Sequence, residues 1–321
     1  MNDFISAFAP KIHAFLSFRT SRGFKNGAHI AHLIRFDRFC AEHYHSTEKL
    51  TPEIVYSWID SETISSPRML NGRVSSIRQF GLYLCAIDEE AFVVTEKFCT
   101  NRTLNIPFNF TDSELSALFY AIDKLPADKN EPFLNKILPT LFRLTYTCGL
   151  RPKESRELLC ENVDLKSGVV TIVNAKNHKD RIVVMSDDML KMCRRYNTSR
   201  VIFAKGNLYF FPSDSGGSFS GSRLQAAFTR AWTTAICSKE CPIPPRVRIY
   251  DLRHRFASAC LNRWLDDGRD LMAMLPYLRE YMGHRSLNET AYYIHILPEN
   301  LSKSSAVDWD VFDNMFPEVD E

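Results

Sequence analysis

Gly168-Val-Val-Thr-Ile-Val-Asn-Ala-Lys176, Asn177-His-Lys179 and Asp180-Arg-Ile-Val-Val-Met185 form the stretch on which the reading of this chain turns. β-Branched residues crowd two short runs, and a polar, charged segment joins them. That is the signature of a β-hairpin with a charged tip. On either side the pattern turns helical. Upstream, Phe133 to Cys148 is a long apolar stretch that Gly149 ends as a glycine just beyond a helix C-terminus does, and a short helix is expected over Lys153–Leu159. Downstream, Ser213–Ser218 reads as a loop and Leu224–Ile236 as a helix. Pro242, Pro244 and Pro245 then lead into an amphipathic helix over Tyr250–Leu265, and helical pieces follow near Leu275–Met282 and Asn288–Ile294. The fold class expected is mainly α with a small β-sheet or hairpin.

Residues 1 to about 100 carry no such β pattern. Phe4, Phe8, Ile12, Phe15, Leu16 and Phe18 recur at near-helical spacing, as do Ile30, Leu33, Ile34 and Phe36. Thr51-Pro52-Glu53 places an N-cap before a proline at the first helical position. Ser65-Ser66-Pro67 breaks that helix, and a further one from about Leu70 sets Val74, Ile77, Phe80, Gly81 and Leu84 on one side. Residues 100–111 have no helical period and contain Pro107, which predicts a linker. Thr111 with Glu114 then forms a capping-box pattern that opens a helix from Asp112 to about Leu125. The expected organisation is a helical domain over 1–105, an α-rich domain over 106–300 and an acidic tail over 301–321.

A chain of 321 residues exceeds what one hydrophobic core usually supports, in keeping with two domains. With 45% hydrophobic and 24% charged residues the balance is that of an ordinary soluble globular protein. The net charge of +2 hides an asymmetry. Residues 301–321 hold one basic and six acidic residues, so the first 300 hold 39 basic against 32 acidic side chains, a net of +7. A basic body is compatible with a polyanionic partner. Nine cysteines without dense regular spacing do not describe a disulfide scaffold or a zinc site, and no metal is expected. The acidic opening of MNDFISAF argues against a signal peptide, and no apolar run is long enough to span a bilayer, which together predict a cytoplasmic protein.

Four segments carry chemistry, and their order matters. The first is Thr147-Cys-Gly-Leu-Arg151-Pro-Lys-Glu154, an arginine directly after a helix stop. The second is the hairpin tip with Lys176 and Lys179. The third is Tyr250-Asp-Leu-Arg253-His254-Arg-Phe-Ala257, and the last runs from Met282-Gly283-His284 to Thr290-Ala-Tyr292-Tyr293-Ile-His295. Two guanidiniums present planar donor forks suited to the oxygens of a phosphodiester, and a tyrosine phenol can attack its phosphorus. Each segment alone has a bland reading: an arginine favoured at a helix C-terminus, or a solvated hairpin tip.

Taken in order, these segments resemble the tyrosine recombinase (phage integrase) family, over roughly residues 110–297. The N-terminal region matches only in size and helical character. The resemblance implies a two-domain architecture, with a helical core-binding domain and an α-rich catalytic domain clamped around duplex DNA. It assigns phosphate binding to Arg151 and Arg253, proton donation to the leaving 5′-oxygen to Lys176, and a hydrogen bond to phosphate or nucleophile to His284. It assigns the nucleophile to Tyr293, which lies nine residues after His284 and is followed by Ile294-His295 as in the family. Tyr292 is offset by about 100° on a helix. Lys176 is preferred to Lys179 because it holds the family position, and Glu154 is expected to support Arg151 structurally. The family usually has His where this chain has Tyr250, and a phenol there can donate a hydrogen bond but is a poor base. His254 is expected to pack.

The resemblance further implies a homo-oligomer, a tetramer on paired sites, with no cofactor, no membrane association, accessory recombination proteins as further partners, and nucleoid association when bound to DNA. Integration or excision of a mobile element fits it. Arg19, Arg22, Lys25, Arg73, Arg78 and Gln79 of the first domain, with Lys179 of the second, are candidate DNA contacts. Val307, Trp309, Val311, Phe312 and Phe316 among the acids of the tail suggest a segment that docks on a neighbouring subunit. The alternatives are a type IB topoisomerase-like enzyme, which relaxes supercoils without paired sites, and a catalytically weak sequence-specific DNA-binding protein.

Overall fold

The computed structural model describes residues 4–61, 67–95, 107–126, 132–173, 180–237 and 245–293. The chain divides into two units, residues 1–105 and 106–321. The hairpin tip with Lys176 and Lys179, the linker around 100–106 and the acidic tail lie outside the described residues.

Among the described residues the first unit holds four helices: α1 (Ala9–Ser21), α2 (Gly27–His43), α3 (Pro52–Asp60) and α4 (Pro67–Ala86). The Thr51 hydroxyl caps α3 by accepting from the Ile54 N–H at 3.4 Å. Pro67 opens α4, because a proline lacks only an N–H that a first helical turn leaves unpaired anyway. Each helix gives one stripe to the core. Ile12 and Phe15 come from α1, Leu33, Phe36 and Cys40 from α2, Trp58 from α3, and Val74, Ile77, Phe80 and Leu84 from α4, all buried. Removing side chains of this size from water contributes about 1.5–3 kcal/mol each. The segment before α1 is tied down by Asp37, 1% exposed, which accepts from the Ile5 and Ser6 N–H groups at 2.6 and 3.0 Å.

One of the expected DNA contacts, Arg73, belongs to that interior, while Arg78 is only partly buried. Arg73 is 1% exposed, with its guanidinium over Trp58 at 5.0 Å, and Arg78 donates to the Val94 carbonyl at 2.7 Å. Arg73 sits on the same α4 stripe as Val74 and Ile77, so helical geometry turns it inward. Arg19 is half-buried and donates to Asn26, while Arg22, Lys25 and Gln79 are exposed.

The second unit begins with α5 (Asp112–Asp123), opened by the expected capping box: Thr111 N–H donates to Glu114 at 2.7 Å and Glu114 N–H to Thr111 Oγ1 at 3.2 Å. Then come α6 (Leu134–Thr147), α7 (Pro152–Arg156), β1 (Val163–Asp164), β2 (Val169–Ile172) and β3 (Arg181–Val184). The unit continues with α8 (Asp187–Phe203), α9 (Gly221–Ile236), α10 (Ile249–Asp266), α11 (Leu271–Met282) and α12 (Leu287–Ala291). The strands form one antiparallel sheet in the order β1-β2-β3, with Val170 opposite Val183 and Ile172 opposite Arg181. Val170, Ile172 and Val183 face the core, while Ile182 and Val184 face outward. α6 lies at the centre, with Leu138, Leu141, Phe142 and Leu144 fully buried. A smaller cluster joins Ala257 and Leu261 of α10, Leu275, Leu278 and Met282 of α11, and Tyr293. Among the described residues no helix is long and apolar enough to cross a membrane.

Candidate active site

Two glycines set the geometry. Gly149 (φ +59°) ends α6 and Gly283 (φ +64°) ends α11, both in the left-handed conformation that side chains other than glycine disfavour. The first turn releases the chain into Arg151 and α7. The second releases it into His284.

The last carbonyls of α11 have no partner within their own helix and lie at the negative end of its dipole. Three arginines meet them in succession. Arg181 Nε donates to the Tyr281 carbonyl at 2.9 Å, Arg253 Nη2 to that of Met282 at 2.5 Å, and Arg151 Nη2 to that of Gly283 at 2.6 Å. Arg253, on the first turn of α10, is fully buried and also donates from Nη1 to the Gly149 carbonyl at 2.6 Å. Its Nε is buried without a hydrogen bond among the described residues.

Glu154 is the anionic centre of this group. Its Oε1 accepts from Arg151 Nη1 at 2.7 Å and Arg181 Nη1 at 2.9 Å. Its Oε2 accepts from the Arg151 N–H at 2.8 Å and Arg181 Nη2 at 2.7 Å, with Arg253 Nη1 4.0 Å away. Burial alone would push this carboxyl up. The hydrogen bonds and charge of Arg181, then those of Arg151, outweigh it and hold the group at about 2.

His284 accepts from Arg253 Nη2 on Nε2 at 3.1 Å, so its proton must lie on Nδ1, which donates to Thr290 Oγ1 at 2.8 Å. A guanidinium has no acceptor, so this tautomer is forced. Burial and then the charges of Arg253, Arg151 and Arg181 hold the imidazole down at about 3, and therefore neutral. Its ring lies nearly parallel to that of Tyr293, with centroids 5.9 Å apart. Tyr293 is 2% exposed, and burial pushes its phenol up to about 12 against the pull of Arg253.

The structure thus brings Arg151, Glu154, Arg253, His284 and Tyr293 together, and Lys176 lies outside the described residues. Tyr250, half-buried on the first turn of α10, meets His254 edge-on, with ring centroids 4.9 Å apart. His254 does pack, as expected, but it packs on Tyr293, at 5.4 Å between centroids. Its buried Nδ1 makes no hydrogen bond among the described residues, and burial followed by the charges of Arg248 and Arg253 holds the ring at about 4. The residue that sequence reasoning passed over is Arg181. It stood in a quoted segment, but a charged residue at a strand start looks solvent-facing until the end of α11 is seen beside it.

Residues 109–300 match the phage integrase family, and the chain belongs to that family. The integrase/recombinase-like protein y4rB of Sinorhizobium fredii is 25% identical over 308 residues, which cover 94% of this chain and 96% of that one. The tyrosine recombinase XerC of Lacticaseibacillus casei is 25% identical over 238 residues, 71% of this chain and 72% of its own. Among solved structures, the XerH site-specific recombinase bound to a palindromic difH substrate in a post-cleavage complex matches with a TM-score of 0.63 at 17% identity. That match covers 88% of this chain and 79% of that one. The fold is that of the tyrosine recombinases.

Proposed function

We propose that this protein is a site-specific DNA recombinase that cleaves and rejoins DNA through a 3′-phosphotyrosyl bond to Tyr293. The observation that supports the reading is the convergence of Arg151, Arg253, His284 and Tyr293, from distant segments, around Arg253 Nε, a buried donor without a hydrogen-bond acceptor among the described residues. A non-bridging phosphate oxygen is the kind of acceptor that would satisfy it. The XerH match, a structure bound to its DNA substrate, supports duplex DNA as the ligand.

In this reading Arg151 and Arg253 hold the non-bridging oxygens and stabilise the charge that grows on them as the phosphorus is attacked. The Tyr293 oxygen forms a bond to phosphorus, and the bond to the 5′-oxygen breaks. The phenol proton passes to the neutral imidazole of His254, which packs on the Tyr293 ring, since His284 already has its Nε2 lone pair on Arg253 and its Nδ1 proton on Thr290. Burial is the main reason that imidazole is held low, and the arriving phosphate offsets the smaller contribution of the Arg248 and Arg253 charges, which raises its basicity. Lys176, at the family position on the hairpin tip, gives a proton to the departing 5′-oxygen, and Tyr250 donates a hydrogen bond to the phosphate. Reversal on a second strand rejoins the DNA, and four protomers on two sites exchange strands in sequence. Integration or excision of a mobile element is the task that fits this chemistry.

The test is a set of nicked suicide duplexes tiled across the DNA that flanks the protein's own coding sequence. The expected result is a covalent adduct on one of them that Tyr293→Phe abolishes. Adducts at scattered sequences would instead identify a topoisomerase-like enzyme, and none on any duplex would identify a DNA-binding protein.

A further inference from the structure

We propose that Arg181 is a positioning residue for strand cleavage, gripping Glu154 and the end of α11 so that the Arg151 guanidinium is held in place for the phosphate. The role rests on the recombinase reading given above. Arg181 is the first residue of β3, with its side chain 7% exposed, and it commits all three of its nitrogens. Nε goes to the Tyr281 carbonyl, and the two terminal nitrogens close a bidentate pair on Glu154. Glu154 in turn holds both the guanidinium and the backbone N–H of Arg151. Arg181 therefore never touches the phosphate; it fixes the residue that does. It also lines the turn that delivers His284, since a Cβ at Gly283 would meet Arg181 Cδ at 3.2 Å and Nη1 at 3.3 Å. One side chain so spans β3, the start of α7 and the end of α11.

A role in stability alone and a role in positioning differ in their response to pH. The charged groups that face Glu154 are Arg151 from the turn before α7, Arg181 from β3 and Arg253 from α10; His284, after α11, is neutral. Burial is the strongest influence on the carboxyl and pushes it up, and Arg181 is the strongest influence against it. Without Arg181 the carboxyl rises, takes up a proton as the pH falls, and lets go of Arg151. With Arg181 present Glu154 is ionised throughout the range in which cleavage can be assayed.

The experiment measures single-turnover cleavage of the suicide duplex between roughly pH 5 and 8, with binding to the same duplex and thermal unfolding as controls. Arg181→Gln is expected to cut cleavage about ten- to a hundredfold at unchanged DNA affinity. It should also show an acid limb absent from the wild type, steepening by about tenfold per pH unit. Arg181→Lys should be slower than wild type but keep its pH profile, because the charge remains and the fork does not. Adding Glu154→Gln to Arg181→Gln should abolish the acid limb. Folded Arg181→Gln protein that cleaves with the wild-type pH profile would overturn the role. If Arg181→Gln fails to fold, Arg181→Lys cleaving at the wild-type rate would do so. A wild-type protein that forms no adduct would bring down the recombinase reading, and this role with it; wild-type behaviour confined to the Arg181 variants would bring down this role alone.

Discussion

A buried phenol is a poor nucleophile until something lowers its proton affinity, and Tyr293 begins at about 12. The group pulling against that value is Arg253, whose buried Nε has no hydrogen-bond acceptor among the described residues. Tyr250 lies three residues before Arg253 on α10, where the family resemblance implies a histidine. If its hydroxyl donates to the phosphate, Tyr250→Phe loses one charge-assisted hydrogen bond, about 1.5–3 kcal/mol, and slows cleavage by roughly ten- to a hundredfold; a parental cleavage rate would show that it does not. The two neutral imidazoles carry a stability consequence. His284 and His254 lie at about 3 and 4 in the folded protein, below the ordinary histidine value of 6.5. The unfolded chain therefore takes up protons first. Their contribution to stability is fully present above pH 6.5 and is lost progressively toward pH 3–4. Urea unfolding should show stability falling from pH 7 to 5, with a shallower slope in His284→Asn; equal slopes would contradict the neutral assignment.

Among the elements, the end of α11 matters most, because three arginines share its last carbonyls. Gly283→Ala forces a left-handed residue to carry a Cβ and crowds Arg181. It should cost about 1–2 kcal/mol in unfolding free energy from the backbone alone, and reduce cleavage by more than that loss of folded protein explains. Much of this level was legible in the sequence. The hairpin announced itself by β-branched runs, α5 by its capping box and α10 by its amphipathic period. The misses have physical reasons. α8 is polar almost all round and buries only a seam of Met189, Cys193, Tyr196 and Arg200, so no apolar period marks it, although Ser186-Asp187-Asp188 is a good helix start. β1 is two residues long and exists through pairing with β2. Arg73 read as a surface base because sequence shows a charge and not the indole beneath it. The site itself was legible as an ordered set of residue types. The arginine network on α11 was not, because it depends on carbonyls, and every residue has one.

For the whole molecule, charge and assembly are the relevant quantities. A body at +7 should bind DNA with an affinity that falls steeply as salt rises, each phosphate neutralised adding about −0.9 to the log–log slope; a flat salt dependence in a gel-shift titration would argue against phosphate contacts. The tail mixes Trp309, Phe312 and Phe316 with acids, a composition suited to docking on a basic neighbour. Deleting residues 303–321 should weaken assembly on paired sites more than binding to one site, and the reverse would refute docking. The proposed reading depends on a covalent bond at Tyr293. Trypsin cleaves after Arg285 and Lys303, so the peptide Ser286–Lys303 of a trapped adduct contains both Tyr292 and Tyr293. Fragmentation of that peptide by mass spectrometry should place the nucleotide phosphate on Tyr293. A phosphate on Tyr292, or on any residue outside this peptide, would contradict the account.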